Sequence, residues 1–314
     1  MVSESIDRVK YWRSKGKTIV LSFDDGYLQL KDNPLVSENP AVSFWARGEV
    51  TQKIGGSEYK KYIGYDPLEQ FVSGMTHCSA ATVPSKVLAS DYRPYTNTFY
   101  LPNYLDAEKY IKAFNRRQKK HGEIWLGWGG SLGHHASWTG SGILEALREV
   151  LRERERVKFL LVGDQRLIPK LKLPKDKLIF RPYVPYFRWA NTIQNFDISL
   201  APLHSKFDLR RSFIKAGEAS LAKLPFIATG DSEYPVYEEF YGSPAHIYVP
   251  SELTVPGYDD RVEHWYNALN QMIDNIEHYR EATEESFEIG MRFDVDANVD
   301  NIIGVYEDIM ELGL

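Results

Sequence analysis

The chain has 314 residues, 43% of them hydrophobic, which is enough to bury a sizeable core and most naturally to form two domains. Its 38 basic and 43 acidic residues leave a formal charge of −5, so composition excludes the electrostatic footprint of a nucleic-acid-binding protein. The single Cys78 excludes an intrachain disulfide and a multi-cysteine zinc site and fits a reducing, cytoplasmic compartment. No apolar h-region stands near the N-terminus and no apolar run is long enough to span a bilayer.

In chain order, Ser5–Lys15 reads as a short helix and Lys17–Phe23 as a strand. That strand runs into Asp24-Asp25-Gly26, which is either a catalytic acid pair or two acids that cap a strand. Residues Gln29–Gly56 read as irregular, interrupted by Pro, Asn and Gly. Pro67–His77 is predicted as a helix, Ala80–Val83 as a strand, and Lys86–Asp91 as a helix with Ser85 as its N-cap. A strand over Thr98–Leu101 leads into a basic helix, "KYIKAFNRRQKKHG". That run suits a solvated linker face or a membrane-surface contact. The composition change there places a domain boundary at 112/113.

Beyond it the pattern is more regular. Strands are predicted over Ile124–Trp128, Lys158–Val162, Leu178–Arg181, Ile198–Ala201 and Phe226–Thr229. Helices fall over Ile143–Glu153, Phe187–Gln194, Ile214–Ala222, Arg261–Arg280 and Val299–Met310. Alternating strands and helices of this kind describe a doubly wound nucleotide-binding domain, here 113–290, with a C-terminal helical segment at 291–314. The dinucleotide fingerprint is not met in "GWGGSLGHH", which argues against NAD. Those glycines either let backbone amides approach an anion or simply form a tight turn.

In "LHSKFDLRRSFIKAGEASLAKLP", Lys215 and Glu218 stand three apart on one helix face, with Arg211 and Ser212 at its entrance. A cation pair beside a helix start suits a diphosphate, and a carboxylate one turn on suits a ribose diol. A surface Lys–Glu pair fits the spacing as well.

The segment Asp197-Ile198-Ser199-Leu200-Ala201-Pro202-Leu203, Phe207-Asp208, Arg211-Ser212, Lys215, Glu218 and Pro225 resembles the donor-binding motif of GT-B glycosyltransferases, family 4-like enzymes of the bacterial polysaccharide type. "IWLGWGGSLGHHASW" resembles the family's glycine loop and "ATVPSKVLASDY" the end of its first domain. The resemblance implies two Rossmann-like domains facing a cleft, the N-terminal one (1–112) short and on the acceptor side. It implies a nucleotide-diphosphate-sugar donor and a carbohydrate or lipid-linked acceptor, with no cofactor and no metal. Arg211 and Lys215 would hold the phosphates and stabilise the leaving diphosphate. Glu218 would take the ribose, with Gly129, Gly130, Ser131, His134 and Ser212 around the donor. The backbone at Tyr183 and Val184 would border the base. Retention of configuration is implied; under inversion, Asp24 or Asp25 becomes the base.

One departure bears on activity. The family's first glutamate, eight positions before Glu218, is replaced by Arg210. A nucleotide-sugar-binding protein without activity is therefore an alternative. Phe23-Asp24-Asp25-Gly26 also resembles the first motif of polysaccharide deacetylases, which demands two histidines about four residues apart to complete a metal site. His134 and His135 are adjacent instead, and His77, His121 and His204 are isolated.

Overall fold

The computed structural model describes residues 3–32, 40–54, 56–114, 122–231, 234–251 and 260–312. Asn33-Pro34 and positions 115–121 of the basic run lie outside these. The chain divides into two compact units. The first comprises Met1–Pro102, Lys206–Ser212 and Val299–Leu314, the second Asn103–Ser205 and Phe213–Asn298.

The first unit is built on a parallel sheet of β1 (Val20–Ser22), β4 (Ala80–Val83) and β5 (Thr98–Tyr100), in the order β1–β4–β5, with a separate hairpin of β2 (Glu49–Ile54) and β3 (Ser57–Tyr62). β4 is a run of small residues, Thr82 among them, and is buried throughout, as a central parallel strand must be. The two helices that follow strands are capped by side chains. Asp66 accepts from the amides of Leu68 and Glu69 at the start of helix Pro67–Met75, and Ser85 accepts from Leu88 for helix Lys86–Tyr92. An aromatic cluster forms the core: Phe23 meets Tyr92 edge-on at 4.7 Å and Tyr27 meets Trp45 at 4.5 Å, with Phe71 touching all four rings.

The sequence expectation of an irregular stretch from Gln29 to Gly56 is corrected here. It contains a helix, Pro40–Arg47, and the first hairpin strand. The hairpin is polar, so no hydrophobic alternation announces it. It is held instead by Glu49, whose carboxylate accepts from Lys60 Nζ at 3.1 Å and the Tyr62 hydroxyl at 3.0 Å.

The second unit contains a six-stranded, wholly parallel sheet of β6 (Ile124–Gly130), β7 (Val157–Gly163), β8 (Leu178–Pro182), β9 (Ile198–Ala201), β10 (Phe226–Thr229) and β11 (His246–Val249). Its order is β11–β10–β9–β6–β7–β8. Strands added in sequence therefore run one way from β6 to β8 and the other way from β9 to β11. The reversal opens a crevice at the carboxyl ends of β6 and β9.

The helices follow the apolar periodicity of the sequence. Helix Ile143–Glu153 packs against Arg261–Asp274, and Ile214–Leu221 against Ile276–Met291. The single helix expected over Arg261–Arg280 is interrupted at Asn275, whose φ of −114° leaves the helical region. Leu126 and Trp128 of β6 join Trp138, Phe159, Leu161 and Trp265 in the main core. Side chains alternate across a strand, so Gly127 and Gly129 face the other side.

Candidate functional site

β6 runs two residues further than the sequence suggests. Gly129 and Gly130 are strand residues, in register with Val162 and Gly163 of β7. The protein's own rings demand these glycines. A Cβ at Gly127 would stand 2.0 Å from the Phe196 ring, and one at Gly129 only 2.2 Å from Cη2 of Trp189. Ser131 follows the strand and is exposed. His134 closes the turn, its amide donating to Ser131 O at 3.1 Å, and its ring meets Trp128 edge-on at 5.8 Å.

Lys215 and Glu218 lie on helix Ile214–Leu221, which follows β9, one of the two strands at which the strand order reverses. Lys215 Nζ donates to the Gly129 carbonyl at 2.6 Å and stands 5.7 Å from the Trp128 ring. Glu218 is buried. Its Oε1 accepts from the Tyr110 hydroxyl at 3.2 Å, and the Trp189 side chain donates to the same carboxylate. Burial pushes the Glu218 carboxyl above its ordinary range, while Lys215, Tyr110 and Trp189 pull it back. The sequence therefore places these two residues on one helix correctly, but the pair is not a solvated surface pair.

Tyr110 and Trp189 were not anticipated from sequence. Tyr110 had a readable signal, since Ala107, Tyr110 and Ala113 recur three apart and form the buried face of their helix. Trp189 had none. Asp197, the first residue of the motif, is structural: it accepts from the Trp125 amide at 2.9 Å and from Arg280 at 2.8 Å.

Tyr183 and Val184 follow β8. The register Gly130↔Gly163↔Pro182 brings them to the same strand edge as Gly130. Tyr183 is 75% exposed and Val184 half-buried.

Arg211 and Ser212 belong to the first unit, and the chain crosses to the second at Phe213. Phe213, not Ser212, is the N-cap of helix Ile214–Leu221. The strip Lys206–Ser212 is anchored by Phe207, which packs with Leu30 and Val42. Arg211 donates through Nε to Asp208 Oδ1 at 2.9 Å, and its Nη1 lies 3.5 Å from Asp25 Oδ1. The structure thus brings together Arg211 and Asp25, two candidates that the sequence left 186 positions apart. Burial raises the Asp25 carboxyl; Arg211 lowers it, and Asp24 and Asp208 raise it further. Asp24 itself is exposed.

Arg210, which replaces the motif's first glutamate, is committed elsewhere. Its guanidinium pairs with both oxygens of Asp91 at 2.8 and 3.3 Å and donates to Lys206 O. Among the described residues, no three His, Cys, Asp or Glu side chains gather to hold a metal ion.

No protein-family model matches the chain, and no curated protein matches its sequence. Solved structures do match. A UDP-forming α,α-trehalose-phosphate synthase from Burkholderia xenovorans superposes with a TM-score of 0.62 at 10% identity, over 98% of this chain and 72% of that one. Sucrose-phosphate synthase from Thermosynechococcus elongatus gives 0.61 at 11% identity, over 96% and 71%. The pneumococcal O-GlcNAc transferase GtfA, solved with UDP and GlcNAc, gives 0.55 at 12% identity, over 99% and 61%. The fold is that of the GT-B glycosyltransferases. Within that fold the second unit supplies the six parallel strands and the central reversal of strand order.

Proposed function

We propose that this protein is a glycosyltransferase that moves a sugar from a nucleotide-diphosphate-sugar donor to an acceptor hydroxyl. One observation carries the reading. Lys215 and Glu218 meet the glycine end of β6 at the switch point, the cation beside Gly129 and the carboxylate one helical turn on. A cation there suits a diphosphate, and a carboxylate at that remove suits a ribose diol.

Catalysis at such a site is positioning plus stabilisation of the departing diphosphate. Lys215 and the amides near Gly129–Ser131 supply positive charge to it. Arg211 is the second cation assigned to the phosphates, on the strength of its place in the motif four residues before Lys215. With two cations in that role the proposed reaction is metal-independent and proceeds with retention. Under inversion Asp25 is the base: burial has raised its affinity for a proton, as a general base requires. A carbohydrate or lipid-linked acceptor, and work in the cytoplasm at a membrane face, rest on the sequence resemblance and the basic run.

A second reading, a nucleotide-sugar-binding protein without turnover, is favoured by Arg210, which occupies the family's first-glutamate position in the sequence and is committed to an ion pair with Asp91. A panel of nucleoside diphosphates and their sugar conjugates separates the two. The transferase raises its melting temperature with one diphosphate and releases that diphosphate from a conjugate. Binding without release across a broad panel selects the second reading, and no binding at all sinks both.

A further inference from the structure

The Glu218 carboxylate has more built around it than its place in a motif requires. Three groups from three helices are turned toward it. The Tyr110 hydroxyl, on a residue only 2% exposed in helix Ala107–Phe114, donates to Oε1 at 3.2 Å. The Trp189 indole, from helix Tyr186–Ile193, donates to the same carboxylate. Lys215 adds a positive charge one turn earlier on Glu218's own helix. Trp189 is itself held in place, because the far edge of its ring fills the space where Gly129 has no side chain.

An ionised carboxylate offers about four acceptor positions. Two donors held by buried or packed rings occupy two of them and fix the carboxylate plane. The remaining two match two neighbouring hydroxyl donors.

We infer that Tyr110 and Trp189 are positioning residues: they hold Glu218 in the orientation that accepts both hydroxyls of a ribose, and so set a preference for ribonucleotide donors over those lacking the diol. This rests on the glycosyltransferase reading of the site. The electrostatics agree. Burial favours the neutral carboxyl, which loses one acceptor oxygen to its proton. Lys215, Tyr110 and Trp189 favour the ionised form, and they are the groups facing it. The Tyr110 phenol is pushed far up by burial and by Glu218, so it remains a donor at every working pH.

The test is calorimetric binding of UDP, ADP and GDP, each against its 2′,3′-dideoxy analogue. It uses the full chain as wild type, Tyr110→Phe and Trp189→Phe, from mildly acidic to mildly alkaline pH. Wild type should prefer one ribonucleotide over its analogue. Each variant should lose about tenfold of that preference, the effect of removing one charge-assisted donor, with analogue binding unchanged. Tyr110→Phe should also lose ribonucleotide binding at a higher pH than wild type as the pH is lowered, because Glu218 then protonates more readily.

If wild type discriminates and both variants discriminate equally, with the acid limb unmoved, the inference is overturned while the functional reading stands. An equal loss for ribonucleotide and analogue overturns it too, since that marks a merely structural role. A wild type that binds none of the six compounds removes the functional reading and the inference together.

Discussion

Lys215 Nζ and the Gly129 carbonyl oxygen, 86 positions apart in the chain, stand 2.6 Å from one another. The contact ties the helix after β9 to the end of β6 across the point where the strand order reverses. An ammonium has three donors, and a backbone carbonyl uses one of them without neutralising the charge. Lys215 is therefore held in position with its charge retained, and that charge also acts on the buried Glu218 carboxylate.

Lys215→Ala should weaken nucleoside diphosphate binding by about tenfold to a hundredfold, the loss of one charge-assisted contact. Folding should change only modestly, by about 1–2 kcal/mol, for the loss of a partly buried hydrogen bond and of the charge that supports the ionised Glu218. Titration calorimetry beside a denaturant melt measures both. Unaltered affinity with an intact fold would exclude Lys215 from the site.

Restoring the motif glutamate by Arg210→Glu should harm the protein. Arg210 and Asp91 retain only 15% and 20% side-chain exposure. The substitution leaves Asp91 unpaired and adds a like charge beside it, a cost of about 2–4 kcal/mol. Urea unfolding should show the drop, and sugar transfer should not rise. A stable variant with higher turnover would mean that Arg210 merely occupies the glutamate's position.

His246 supplies a pH dependence. It is buried between Ser220 Oγ at 3.3 Å and the Tyr248 hydroxyl at 3.0 Å, and burial pushes its pKa down from 6.5 to about 3. The unfolded chain therefore binds this proton between those values and the folded chain does not. Stability from the neutral imidazole is complete above pH 6.5 and is lost as pH falls toward 3. Comparing wild type with His246→Asn across that range should show a gap that closes on acidification, by several kcal/mol in all. A gap independent of pH would mean that the imidazole is not buried in its neutral form.

How far the sequence could be read depended on how each element is stabilised. β9 and β10 are short apolar runs bounded by turn residues, and helix Ile143–Glu153 has a clean inward stripe; their bounds follow from hydrophobic pattern alone. The hairpin of β2 and β3 has no such pattern, because Glu49, Lys60 and Tyr62 hold it through polar contacts. At the candidate site, Lys215 and Glu218 were legible because helical spacing puts them on one face. Tyr110 was not assigned to Glu218, since 108 residues separate them and only the folded sheet brings them together. The glycines of β6 were legible as a signal but not as to cause: their need is set by Trp189 and Phe196, far along the chain.

The division of the chain has a consequence for synthesis. The second unit has all its residues once Asn298 has been made, whereas the first, begun earlier, still lacks Val299–Leu314. The N-terminal unit thus has residues made both well before and after those of the second unit. Its opening segment, with the aromatic cluster around Phe71, must wait through nearly the whole of translation for its closing helix. A stop codon after Asn298 would therefore remove residues of the unit whose other residues are made first.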